Sequence, residues 1–188
     1  MHAARSCAWA DDPVARSLLH AIKYDGWHRV ADELSARMSQ LEFPSTLSAA
    51  RAMVPVPLAP GRLRERGYNQ SEGLARGVAA RWGLGVPVPL LQRLRETPSQ
   101  TRLTVEERLT NVANAFQVDA SLLQRLGDVT VFLVDDVITT GATLNACADA
   151  LASAGVRTIC FITYGRARDP RDAPASRGTR SHGDSGRH

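Results

Sequence analysis

The chain has 188 residues, 44% of them hydrophobic and 22% charged, the make-up of one compact domain with enough apolar side chains to bury a core. No uninterrupted apolar stretch approaches the roughly 20 residues needed to cross a bilayer, and Met1 to Ala10 lacks the apolar run of a signal peptide. A cytoplasmic protein with no membrane partner is therefore expected.

The predicted elements begin at Asp12-Pro13, an N-cap followed by proline at the first helical position. Val14, Leu18, Leu19 and Ile22 then recur at helical spacing, predicting a helix over 13–23. After the turn Tyr24-Asp25-Gly26, the residues Val30, Leu34, Met38 and Leu41 mark a second amphipathic helix that ends before Pro44, so residues 1–43 read as an α-hairpin. The apolar run Ala52 to Pro57 contains two prolines, which restrict a strand there to a sheet edge or to the strand's own end. Gly61 to Gly67, rich in Arg and Gly, reads as a loop. Asn69, Gln70 and Ser71 can cap a helix whose Leu74, Ala75, Val78, Ala79 and Trp82 share one face, and this placement favours a core role for Trp82 over base stacking.

Val86 to Leu94 reads as extended, and Arg95 to Arg102 has the composition of a mobile loop. Thr104-Val105-Glu106-Glu107 matches a capping box, predicting a short helix to about Asn111. Short and long strands are expected at 115–118 and 129–134, then a helix from about Thr143 to Ala154 and a strand from Thr158 to Tyr164. Alternating strands and helices imply an α/β fold with a parallel sheet covered on both faces. The division expected is a helical hairpin at 1–43, a main domain at 44–166 and a disordered basic tail at 167–188, where apolar residues nearly vanish.

Charge is unevenly placed within the net +4. Residues 51–116 hold ten Arg against five Glu, and 166–188 hold six Arg against three Asp, whereas 117–165 are acidic. A basic middle beside an acidic later segment suits a small polyanionic ligand with a metal, and nucleic acid as a second choice; a solvated Arg-rich face is the alternative. Lys23 is the one lysine among 23 basic residues, a position where a compact ammonium rather than a planar guanidinium is called for. The three cysteines, Cys7, Cys147 and Cys160, form no C-x-x-C pair and read as buried or idle thiols, with no zinc site visible.

The informative stretch is Val131-Phe132-Leu133-Val134-Asp135-Asp136-Val137-Ile138-Thr139-Thr140-Gly141-Ala142-Thr143: a buried strand, two carboxylates, a Thr/Gly loop and a helix start. In a parallel sheet, ligands sit beyond the carboxyl ends of the strands, where backbone N–H groups at a helix N-terminus converge on phosphate. The hydroxyls of Thr139, Thr140 and Thr143 add donors. Two acids just ahead of such a cradle would repel a phosphate alone, but they suit ribose hydroxyls and a nearby Mg²⁺. The combination reads as a sugar-phosphate site. A kinase P-loop is set aside, because its lysine is missing and the loop is too short.

This stretch resembles the phosphoribosyl pyrophosphate (PRPP) motif of the type I phosphoribosyltransferases. Val54-Pro55-Val56-Pro57-Leu58 with Arg62-Leu63-Arg64-Glu65-Arg66-Gly67-Tyr68-Asn69-Gln70 is similar to the ComF/GntX branch, as are Lys23-Tyr24-Asp25-Gly26 and the series Arg95, Gln100, Arg108, Asn111, Ala115-Phe116. The resemblance spans about Leu18 to Arg166. It implies a type I phosphoribosyltransferase-like parallel sheet flanked by helices, with the N-terminal α-hairpin as the candidate hood over the acceptor. It implies PRPP with Mg²⁺, a nitrogenous acceptor of unknown identity and release of pyrophosphate. Residues 139–143 would hold the 5′-phosphate; Asp135 and Asp136 are the catalytic pair, ordering ribose and, indirectly, the metal, with a role as base or as a helix-capping pair left open. Arg62, Arg64 and Arg66, with Arg95 and Arg102, are the candidate pyrophosphate contacts. Tyr68 and Asn69 either read the acceptor or close the loop. Family members often begin with a cysteine-rich zinc module, and Cys7 alone stands in that region here. The branch also implies a second reading, a non-catalytic PRPP- or nucleotide-binding adaptor in DNA uptake, with competence-machinery proteins or a homodimer partner.

Overall fold

The computed structural model describes residues 3–24, 27–45, 47, 50–94 and 115–168. The expected loop with Arg95 and Arg102, the helix from Thr104 and the tail from 169 onward lie outside the described residues, as do the side chains of Tyr24, Trp27 and His28.

Four parallel strands form the central sheet: β1 (Ala3–Trp9), β2 (Arg51–Pro55), β5 (Thr130–Ile138) and β6 (Thr158–Arg166), in the order β1-β6-β5-β2. A separate antiparallel pair joins β3 (Leu91–Arg93) to β4 (Phe116–Val118). Helices α1 (Pro13–Tyr24), α2 (Trp27–Met38) and α4 (Gln70–Arg81) pack on one face, burying Leu19, Ile22, Leu34, Met38, Leu74 and Val78 against Phe132, Val134 and Ile162. On the other face, Leu144, Cys147 and Leu151 of α6 (Ala142–Ser153), with the β3–β4 pair and the half-buried leucines of α5 (Ala120–Leu126), cover Val54, Val131, Leu133 and Phe161. The layered α/β arrangement expected from the alternation is what forms.

Local chemistry explains most of the boundaries. Asp12 accepts hydrogen bonds from the N–H groups of Val14 and Ala15 at 2.9 and 3.0 Å, so it caps α1 ahead of Pro13. Strand β2 is an edge strand whose last residue is Pro55, so both sites open to proline are used at once. Half-buried Trp82 packs edge-on against Phe43 and Phe132, in the core role expected of it.

Three expectations change. Residues 3–9 are not part of a helical hairpin but form β1, paired parallel to β6 from Ala3 opposite Cys160 to Trp9 opposite Arg166. With Ala3, Ala4, Ser6 and Ala8 it lacks the bulky alternation that announces a strand, and backbone pairing to β6 decides its conformation. The Arg/Gly stretch 61–67 is mostly helix: α3 (Pro60–Arg66) starts on proline and ends at Gly67, whose left-handed backbone (φ 75°) lets its N–H bond Leu63 O at 2.8 Å. The strand expected to stop at Val134 continues to Ile138, because β6 runs alongside it and pairs Asp135 with Thr163 and Val137 with Gly165. The two acids therefore lie inside β5.

Candidate functional site

Because all four strands are parallel, Trp9, Pro55, Ile138 and Arg166 end at the same edge of the sheet. This edge receives α3 after β2 and the Thr/Gly loop after β5.

At the acid pair, strict alternation breaks down. Phe132 and Val134 face the α1/α2/α4 layer, but Val137 faces that layer as well, and Ile138 packs on the opposite side. The pairing of β5 with β6 passes over Asp136. The local twist sends the two carboxylates to different partners. Oδ1 of Asp135 accepts from Ser71 Oγ at 2.8 Å and from the N–H of Asp136 at 2.9 Å. Asp136 is buried, and Lys23 Nζ of α1 stands 3.0 Å from its Oδ2. That approach is a charge contact, since Oδ2 is enclosed and has no hydrogen-bond partner among the described residues. The acids do not cap α6, so the capping alternative falls.

Burial raises the Asp135 carboxyl to about 8, with the neighbouring Asp136 charge adding to the effect and the Ser71 hydrogen bond opposing it. Asp135 keeps partial exposure but sits in dense protein surroundings. An acid whose folded value is raised holds its proton in the folded chain after the unfolded chain has lost it near about 3.9. Its stabilising contribution is complete below that value and disappears as pH rises through about 8. Urea unfolding of wild type and Asp135→Asn at pH 5 and pH 8.5 is expected to show the variant gaining on the wild type at the higher pH; an unchanged difference would remove the shift.

Beyond β5, Thr139 and Thr140 are exposed and Gly141 adopts φ 76°, a left-handed turn that favours glycine. Thr140 Oγ1 accepts from Ala142 N at 3.4 Å, and Gly141 O accepts from Asn145 N at 2.8 Å. The start of α6 has no side-chain cap and no acid in its first turn, so its positive end is not neutralised from within its own first turn. Thr139, Thr140, Gly141, Ala142 and Thr143 thus form one continuous strand-to-helix turn next to the acids.

Arg62, Arg64 and Arg66 lie on α3, not on a loop. Arg62 and Arg66 are one turn apart on one face and Arg64 projects from the other, so the three cannot converge as a unit. Arg66 donates to Gln70 Oε1 at 3.3 Å. Tyr68 donates to Ile22 O at 2.9 Å, and Asn69 both donates to Val56 O at 3.0 Å and caps α4 through Ser71 N at 3.2 Å. Both close the loop. Ser71 was legible only as a capping candidate; with Asn69 in that place, its hydroxyl is left for Asp135. Cys147 and Cys160 are buried and Cys7 is half-buried, and burial raises all three thiols.

The phosphoribosyl transferase domain model matches residues 69–185, from the cap of α4 through the acid pair and the Thr/Gly turn. The chain belongs to the phosphoribosyltransferase family. Within that family it is ComF-like. It is 35% identical over 153 residues to Competence protein F of Haemophilus influenzae, covering 80% of this chain and 58% of that protein. It is 31% identical over 155 residues to DNA utilization protein YhgH of Salmonella typhi, covering 78% and 65%. Competence protein ComFC of Streptococcus pneumoniae is 28% identical over 106 residues, covering 56% and 44%. The chain thus spans about three fifths of the length of the first two relatives. In this phosphoribosyltransferase-family chain the acid pair lies on β5 and the Thr/Gly turn directly follows it, while the basic residues of α3 come from the neighbouring strand's end. No described helix is long and apolar enough to cross a membrane.

Proposed function

We propose that this chain binds PRPP and Mg²⁺ at the carboxyl edge of its sheet and transfers the phosphoribosyl group to a nitrogen acceptor. The observation that carries the reading is the turn from β5 into α6: an acid pair, then a left-handed glycine, then a helix start without a cap. The amide groups of that helix start and the hydroxyls of Thr139, Thr140 and Thr143 take the 5′-phosphate. Asp135 and Asp136 accept from the ribose hydroxyls.

The described residues contain no group of three or more His, Cys, Asp or Glu able to cage a metal. The acid pair instead fits an ion carried mainly on ligand oxygens and water, with Asp135 and Asp136 reaching it through ribose or water, which suits the coordination habits of Mg²⁺. When bound, Mg²⁺ supplies charge neutralisation for the pyrophosphate. Arg62 or Arg66 on their shared face of α3, with Arg64, Arg95 and Arg102 as further candidates, would add to it. In the step itself the acceptor nitrogen bonds to C1 of the ribose, the bond from C1 to the pyrophosphate oxygen breaks, and the acceptor proton passes to a base. Asp135, in the ionised form that grows as pH rises toward about 8, is the carboxylate suited to take it.

Calorimetric titration of PRPP into the full chain with and without Mg²⁺ tests this. Saturable binding that strengthens at least tenfold with Mg²⁺ is expected, and its absence would overturn the proposal. A second reading is favoured by the names of the relatives, which are competence and DNA utilization proteins: an adaptor in DNA uptake that binds PRPP or a nucleotide without transferring it, acting with competence-machinery proteins or a second copy of the chain. PRPP binding without pyrophosphate release across a panel of nitrogenous bases would select it.

A further inference from the structure

Two carboxylates adjacent in one strand repel each other, and this pair is enclosed enough that water screens little of the repulsion. Within the described residues, the cation set against it is Lys23, whose ammonium lies 3.0 Å from Asp136 Oδ2 and whose side chain is 26% exposed. The placement is not incidental to a flexible surface. Lys23 lies in the last turn of α1, where positive charge is favoured by the helix dipole. The preceding carbonyl, Ile22 O, is held by Tyr68 OH at 2.9 Å. Tyr68 is followed by Asn69, which is tied to the end of β2, and by Ser71, which bonds the other acid. The end of α1, the start of α4 and the two acids of β5 therefore form one connected set of contacts.

We propose that Lys23 is a positioning residue of the phosphoribosyl site: it compensates Asp136 and holds its Oδ2 on the α1 side, leaving the other Asp136 oxygen and Asp135 to face the ribose, and it locks the helical hairpin to the ligand-binding edge. The two acids thereby differ in role although they are neighbours in sequence. Every other basic residue of the chain is Arg. A compact ammonium reaches the enclosed Oδ2 as a point charge, whereas a planar guanidinium needs room and directed acceptors. This inference rests on the PRPP-binding reading.

The test is PRPP titration in the presence of Mg²⁺ on wild type, Lys23→Met, Lys23→Arg, Asp136→Asn and the double variant Lys23→Met/Asp136→Asn, with thermal melting of each. Lys23→Met is expected to weaken PRPP binding at least tenfold, Lys23→Arg to recover little of that loss because the guanidinium does not fit against the enclosed Oδ2, and the double variant to bind within about twofold of Asp136→Asn alone, because the two residues act as a unit. The double variant carries no uncompensated buried carboxylate at 136, so it keeps the comparison available if Lys23→Met alone fails to fold. Wild-type affinity in Lys23→Met, or losses that simply add in the double variant, would overturn the positioning role while leaving PRPP binding intact; a lowered melting temperature with unchanged affinity would mark a structural ion pair only and would also overturn it. Failure of the wild type to bind PRPP would overturn both readings.

Discussion

Replacing both acids, Asp135→Asn with Asp136→Asn, is expected to weaken Mg²⁺-dependent PRPP binding by a hundredfold or more while leaving the fold in place. At pH 8.5, where Asp135 is largely ionised, hydrogen bonds to charged groups contribute about 1.5–3 kcal/mol each, so loss of two charged acceptors from ribose removes at least about 3 kcal/mol, or roughly two factors of ten. Asparagine keeps the side-chain shape and an oxygen that can accept from Ser71, so the contacts that seat β5 against α4 persist. Removing two adjacent enclosed charges also removes their repulsion, and Lys23, being partly exposed, can turn toward water. Calorimetric titration read beside a thermal melt checks both halves: retained affinity would take the acids out of the site, and a collapse of the melt would make them structural.

The second large effect is on stability and lies at the opposite end of β5. Phe132 is fully buried, with its ring 5.0 Å from Phe43 at 88° and 5.1 Å from Trp82 at 83°, both edge-to-face. Trp82 in turn donates from Nε1 to Ser39 O at 2.8 Å, and the Arg51 guanidinium lies 5.9 Å from the Phe132 ring centre. The trio thus joins the strand to the segment after α2 and to the end of α4. Phe132→Ala is expected to cost about 3–5 kcal/mol through lost burial and the cavity left behind. For a domain of this size that lowers the melting temperature by about 6–20 °C. PRPP affinity measured well below the new midpoint should stay within about threefold of wild type, because the ring packs on the helical layer away from the Thr/Gly turn. A fall of less than about 3 °C would mean that the site collapses around the missing ring.

The contrast between those two positions, three residues apart on one strand, shows where local reading works. Phe132 and Val134 announce a buried strand by their own chemistry, and Thr139-Thr140-Gly141 announces a turn, so their places were legible. Helices α1, α2 and α4 were legible for the same reason, since each carries an apolar stripe and α1 and α4 begin with a local capping residue. Helix α3 was missed although Pro60 and Gly67 mark its ends, because three Arg and two Gly in seven residues outweighed them as loop signals.

By itself, the sequence determined the layered α/β class, the order of the main elements, the restriction of the proline-bearing strand to a sheet edge or to its own end, and the run of acids, threonines and glycine that carries the family relationship. These follow from interactions between residues a few positions apart: helical periodicity, proline geometry, glycine's left-handed turn. Only the tertiary structure decided that residues 3–9 complete the sheet, that both acids lie within β5, and that Asp135 answers to Ser71 while Asp136 answers to Lys23. Each of those outcomes depends on partners far away in the chain, and the free energy of such a contact is set by burial and by which opposing group arrives, neither of which is written in the local spacing of residues.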